Sequence, residues 1–534
     1  MKPPRFLPLL VLITFSLASI SPAETKPSGR TALDETAILK FARQLAKDRT
    51  VEANITGQGQ DNYTFDTDSD GKIHVTAGTA RGVLYAVYDV LDGKTSGKES
   101  PAFSIRGINP CESLARHTPE MIARLIDRMG HWKMNRIIIH SEYGFERHKE
   151  LILRECGKRG IEPVYYLYDN VCFGNAVPRT YWAMDGKGKV RAPYDHLEAY
   201  NRVCASKTEG FGPYRKGVDS YLAKHTDFRQ VMFATADGGD YCQCPECSLK
   251  GPWEQVLPFF NMFFDEASDR NRELLVYQDR YEVPKDVSNI GKLNGVMYDL
   301  HSRNRMSTLA DSGKKTGNRY LYDRLLEWRK VVSGTLYIFE NMMIQGDWGV
   351  PTYSVQAYLE DLRQFKTDGI DGMIYEVYEP GIRSHLPALD VLSKAMWRPF
   401  DQFQVTENAD PEFQQFRRLV GNSRSTRNLE SLKSLNTYLL NLPDRDRFDW
   451  LYIGFSSMKR CDAKAKSILL QTNDPKEKLF LETNKIWDFL EKVESLPGDS
   501  PRETTGKVIE KIVRRLQETT TTNLETKQSR KTPQ

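Results

Sequence analysis

From residue 103 onward the chain alternates short apolar runs with longer amphipathic stretches. Eight runs read as strands, at residues 103–109, 136–142, 162–168, 230–236, 274–279, 295–300, 335–340 and 372–377. Between most of them apolar residues recur at helical spacing, as in 119–132, 146–159, 254–270, 320–331, 355–367 and 387–397. Strands that alternate with helices predict parallel β/α units. Eight such units predict a (β/α)8 TIM barrel over residues 101–400. An open doubly wound sheet has the same periodicity, but no Gly-x-Gly-x-x-Gly opens a helix after the first strand.

The pattern differs on either side. Residues 33–48 and 78–91 have helical period, and residues 63–65 and 72–75 read as short strands around an Asp-Ser-Asp-Gly turn. These predict a small α/β domain at 24–100, with 92–101 as its exit linker. After residue 400 only helical periodicity remains, which predicts a helical C-terminal domain at 401–517. The polar tail 518–534 reads as disordered. At the start, Lys2 and Arg5 precede an apolar run from Phe6 to Ile20 and the small-residue site Ser21-Pro22-Ala23. This is the pattern of a cleavable secretory signal peptide at 1–23, so a secreted or periplasmic protein is expected.

Composition narrows the field. The 534 residues are 40% hydrophobic and 27% charged, which excludes a wholly disordered chain and a small disulfide scaffold. With 75 basic and 71 acidic residues the net charge is +4, too balanced for a general nucleic-acid binder. No later apolar run approaches the roughly 20 residues of a membrane span. The sequence does not indicate an oligomeric state.

In a barrel of this kind the functional groups sit at the C-terminal strand ends. The eight ends supply Asn109; His140 and Glu142; Tyr168 and Asp169; Asp237; Tyr277 and Asp279; Tyr298, Asp299 and His301; Glu340 and Asn341; and Glu376 and Glu379. Acidic residues are poor strand formers, so their recurrence at one end needs an explanation. A carboxylate-rich rim suits glycoside hydrolysis, in which one carboxylic acid protonates the leaving oxygen and a second carboxylate activates water or attacks carbon. Asp237 is the expected acid, and Glu340 or Glu376 the expected base or nucleophile. Trp182 and Trp348 offer flat rings for the apolar faces of a carbohydrate substrate. Two other uses stay open: a catalytically silent glycan-binding barrel, and a metal-dependent hydrolase built on His140, Asp299 and His301.

Three of the eight cysteines, Cys242, Cys244 and Cys247, form a C-x-C-x-x-C cluster after the fourth strand. Hydrolysis needs no cofactor. The cluster is open to disulfides, to structural zinc with a fourth ligand such as Cys204 or His301, or to unpaired thiols. Either of the first two would brace the loop that carries Asp237.

The stretch Ala77-Gly78-Thr79-Ala80-Arg81-Gly82-Val83-Leu84-Tyr85-Ala86 resembles the N-terminal domain shared by family 67 alpha-glucuronidases and family 20 beta-hexosaminidases. Phe103-Ser104-Ile105-Arg106-Gly107-Ile108-Asn109 is similar to the lead-in of their barrels. The run from Asp237 to Cys247 resembles the hallmark of the domain-of-unknown-function 4838 family, as does Met396-Trp397-Arg398-Pro399. The resemblance covers about residues 30–400 and implies a glycosidase-like barrel without fixing the sugar. In alpha-glucuronidases the acid after strand four is a Glu, and Asp237 occupies that place here. Their bases lie on later strands, where Glu340 and Glu376 stand. Family 20 enzymes place an Asp-Glu pair after strand four, whereas Gly238 follows Asp237 here.

Overall fold

The computed structural model describes residues 33–403, apart from 111–118, 141–144, 170–175, 191–201, 236–240, 278–279, 302, 304, 306, 311–316, 343–354 and 378–381. The expected signal peptide, most of the expected helical domain and the tail lie outside the described residues.

The N-terminal part is a four-stranded sheet covered by two helices. Helix α1 (Glu35–Leu45) precedes β1 (Val51–Ile55), β2 (Tyr63–Thr67) and β3 (Ile73–Ala77); α2 (Ala80–Leu91) and β4 (Ser96–Glu99) follow. The sheet order is β1-β3-β2-β4, with β1 parallel to β3 and the other pairs antiparallel. Two strands are additions to the sequence reading. The sequence pattern does not mark Val51–Ile55 as a strand, and the expected exit linker contains β4, a polar edge strand paired to β2. Its residues Ser96-Gly97-Lys98-Glu99 are poor strand formers, so neighbour pairing decides their conformation.

The motif at 77–86 has a local physical explanation. Thr79 caps α2 by accepting a hydrogen bond from the Gly82 amide. A Cβ on Gly78 would lie 2.2 Å from the Gln60 carbonyl oxygen, so only glycine fits beneath that strand connection. Arg81 pairs with buried Asp61 at 2.8 Å and donates to the Gly160 carbonyl at 3.1 Å. Arg106, on the first barrel strand, meets the same carboxylate at 2.8 Å. Asp61 therefore ties the small sheet domain to the barrel.

The barrel is closed and all parallel. Its strands are β5 (Ile105–Asn109), β6 (Arg136–His140), β7 (Glu162–Tyr168), β8 (Gln230–Ala234), β9 (Asn271–Val276), β10 (Gly295–Asp299), β11 (Thr335–Asn341) and β12 (Gly372–Glu376). Closure is made by β12 and β5, with Gly372 registered on Ile105 and Glu376 on Asn109. The surrounding helices are α3 (Pro119–His131), α4 (Lys149–Arg159), α5 (Phe211–Lys224), α6 (Pro252–Glu266), α7 (Asn318–Val331), α8 (Val355–Thr367) and α9 (Ile382–Ala395). The structure adds α5 to the sequence reading. Two glycines and a proline near its start, and a further glycine at 217, blur its periodicity.

Side chains alternate across the barrel wall. Ile105, Ile138, Val164, Met232, Leu275, Met297, Tyr337 and Ile374 form one inner cluster with Tyr166, Tyr168, Ala234, Tyr277 and Phe339. The intervening residues, such as Ile108, Ile137, Phe233, Leu336 and Ile338, join the larger core beneath the helices. At the N-terminal end of the lumen Arg136 pairs with Glu273 at 2.9 Å and donates to Gln230 at 3.0 Å, while Tyr337 donates to Glu273 at 2.5 Å. These buried groups fill the floor of the barrel.

The chain leaves the barrel beside the point where it came in. Trp397 accepts a backbone hydrogen bond from Ala102 and inserts its ring edge-on against Tyr63 and Tyr85 of the small domain, at centroid distances of 5.9 and 5.8 Å. Its place in the small-domain core gives Met396-Trp397 a packing role.

Candidate active site at the barrel mouth

Wall alternation decides which strand-end residues reach the lumen. Asp299, Asn341, Glu376, Asn109 and His140 share the parity of the inner cluster and end five consecutive strands, β10, β11, β12, β5 and β6. All five are buried. Asn341 donates to the Asp299 carboxylate at 2.8 Å and is registered beside Glu376. Glu376 is registered in turn beside Asn109, whose amide lies 2.8 Å from His140 Nε2. The five side chains form a polar arc around one half of the mouth. Tyr166, Tyr168 and Tyr277 face the same lumen from β7 and the end of β9. The His140 ring stacks on Tyr166 at 4.3 Å, and the His301 ring meets Tyr277 edge-on at 5.7 Å.

Burial moves the His140 pKa down to about 3, so its imidazole is neutral at ordinary pH. It serves the arc as a neutral hydrogen-bonding group rather than as a cation.

Two residues expected at the rim face the other way. Glu340 shares the parity of Leu336 and Ile338 and points into the helical layer. There Arg303 bridges it at 2.7 Å to Asp361 of α8 at 2.6 Å, and Tyr358 of the same helix donates to it at 3.1 Å. Burial pushes the Glu340 carboxyl up, with Arg303 pulling against it. The outcome is a fully enclosed carboxylate held within the helical layer. Tyr298 also faces outward and donates to the Leu321 carbonyl of α7 at 2.9 Å. Trp182 lies in the β7–α5 connection, where its indole donates to the Val177 carbonyl at 2.9 Å and Arg179 covers its ring. It braces that connection. Asp169 is buried at the end of β7. Asp237, Glu142, Asp279, Trp348 and Glu379 lie outside the described residues.

Tyr166 is a lumen residue that the strand ends do not supply, and Asn341, read at the end of the seventh strand beside Glu340, is the one of that pair that faces inward. Strand parity was the signal that identifies them. It is masked in sequence because parallel strands bury both faces and read as continuous apolar runs.

Among the described residues, one group of His, Cys, Asp or Glu side chains converges closely enough to hold a metal ion. It consists of Cys204, Cys242, Cys244 and Cys247, whose sulfurs all lie within 4.8 Å of one another. His140, Asp299 and His301 do not form such a group, and His301 is not the fourth member of the cysteine cluster. The described cysteines form no disulfide.

The structure resembles family 89 glycoside hydrolase from Clostridium perfringens, solved with its substrate GlcNAc-α-1,4-galactose, with a TM-score of 0.54 at 13% identity over 90% of this chain and 69% of that one. The same family in complex with PUGNAc gives a TM-score of 0.53 at 12% identity, over 90% and 70% of the two chains. A family 20 exo-β-N-acetylglucosaminidase from Vibrio harveyi gives 0.46 at 13% identity, over 69% of each. At these identities the likeness is one of fold. No family model matches the sequence, and no curated protein does.

Proposed function

We propose that the protein is an exported glycoside hydrolase acting on an oligo- or polysaccharide, with its site at the C-terminal mouth of the barrel. The observation that carries this reading is the lumen-facing arc Asp299–Asn341–Glu376–Asn109–His140 on five consecutive strands. Two carboxylates and three neutral hydrogen-bonding groups, faced by three tyrosines, suit a neutral polyhydroxylated ligand and acid–base cleavage of its acetal. Glu376 is the base or nucleophile, and Asp237, on sequence grounds, is the acid. The run from Asp237 to Cys247 supports assignment to the domain-of-unknown-function 4838 family.

The test is a panel of aryl glycosides and natural oligosaccharides assayed with the purified protein, followed by Glu376→Gln on the best substrate. Turnover lowered by about a hundredfold, in a variant that melts like the wild type, supports the assignment. Undiminished turnover in that variant excludes Glu376. Export is tested separately: N-terminal sequencing of protein recovered outside the cytoplasm should begin near Glu24.

A further inference from the structure

The four converging cysteines come from two barrel connections. Cys204 lies in the connection from β7 to α5, while Cys242, Cys244 and Cys247 lie in that from β8 to α6. All four are buried. Cys204 Sγ stands 3.4 Å from Cys242 Sγ, 3.7 Å from Cys244 Sγ and 3.7 Å from Cys247 Sγ. Four sulfurs at about 2.3 Å from a tetrahedral zinc ion stand about 3.8 Å apart. The observed spacings cluster near that value. A disulfide requires about 2.05 Å between one chosen pair, whereas Cys204 is nearly equidistant from three partners.

The surroundings are arranged for sulfur anions. The Met184 amide donates to Cys242 Sγ at 3.3 Å, and the Cys247 amide to Cys244 Sγ at 3.4 Å. The Ser206 hydroxyl lies 3.3 Å from Cys244 Sγ. The backbone is held from behind by Gln255 of α6, which accepts from the Cys242 amide and donates to the Cys247 carbonyl, both at 2.9 Å. Such outer contacts fix ligand orientation at structural metal sites.

We propose that Cys204, Cys242, Cys244 and Cys247 bind one structural zinc ion, clamping the β7–α5 connection to the β8–α6 connection above the barrel rim. Each thiol gives up its proton on binding, and the ion closes the tetrahedron without a vacant position for water. The clamp is independent of the hydrolytic reading, because it reacts with no substrate.

The test is elemental analysis of full-length protein purified without added metal. About one zinc per chain is expected, with the four thiols alkylated only after denaturation in a chelator. Reconstitution with cobalt should give the intense visible bands of a tetrahedral thiolate site. Cys204→Ser should bind zinc at least tenfold more weakly, whereas Cys156→Ser, buried elsewhere on α4, should keep its zinc. If Cys204→Ser fails to fold, the wild-type zinc content and cobalt spectrum still decide the matter. A metal-free chain whose intact mass shows two disulfides among these cysteines would overturn the proposal, as would iron in place of zinc.

Discussion

Glu340 and Glu376 end neighbouring strands of the barrel yet lie on opposite faces of its wall. The pairing registers Asn341, not Glu340, beside Glu376. One carboxylate enters the helical layer and the other the lumen. The two glutamine variants should therefore behave differently. Glu340→Gln weakens the buried Glu340–Arg303–Asp361 cluster, and breaking a buried pair costs about 3–5 kcal/mol. It should melt well below the wild type but keep turnover per folded molecule. Glu376→Gln should melt normally and lose turnover. Paired melting and activity measurements separate the two outcomes, and reversed phenotypes would return Glu340 to the chemistry.

Asp61 offers a test of how the two domains are joined. Burial works to raise its pKa, but Arg81 and Arg106 outweigh burial and hold it well below the ordinary 3.8. An unfolded chain takes up this proton as pH falls through 3.8, while the folded chain does not. The stabilisation is thus present above that pH and lost as acid approaches the lower folded value. Asp61→Asn should reduce stability at neutral pH by about 3–5 kcal/mol. It should also flatten the loss of melting temperature between about pH 4 and pH 2, read by calorimetry across that range.

His140 should stay neutral across the physiological range. Its folded pKa is near 3, against 6.5 for an exposed ring. Below 6.5 the unfolded chain binds a proton that the folded chain refuses, so stability falls as pH drops from 6.5 toward 3 and is complete above 6.5. NMR of the imidazole should show its ring protons unshifted between about pH 8 and pH 5. A titration midpoint near 6.5 would mean that the ring is solvated. His140→Phe should lessen the acid dependence.

Barrel closure depends on Gly372. A Cβ there would fall 1.8 Å from the Ile105 carbonyl oxygen, within the only seam joining the last strand to the first. Gly372→Ala should cost about 3 kcal/mol or more, because rigid backbone must move to admit it. Gly157, within α4 and with open space where its Cβ would stand, is the contrast. Gly157→Ala should stabilise by about 0.5–1 kcal/mol. Chemical denaturation of both variants measures the difference.

The barrel was legible because its strand runs are strongly apolar and most are separated by stretches of helical period. Residues 162–168 form β7 as expected, and 355–367 form α8. Harder to read was the direction of individual side chains. Leu336-Tyr337-Ile338-Phe339 is apolar at every position, so nothing local says whether Glu340 or Asn341 faces inward. Only register against the neighbouring strands decides it. Edge strand β4 was illegible for a related reason: its pairing comes from β2, not from its own residues. The cysteine cluster was partly legible. The C-x-C-x-x-C spacing brought three sulfurs together, but Cys204 lies 38 residues before Cys242 and only the fold makes it the fourth.

The floor built from Arg136, Gln230, Glu273 and Tyr337 makes the lumen a cul-de-sac. A molecule that reaches Glu376 must back out along the route by which it arrived. Incoming and departing molecules share one doorway, so a product that lingers there obstructs its successor. On the proposed hydrolase reading, inhibition by product should consequently be competitive with substrate.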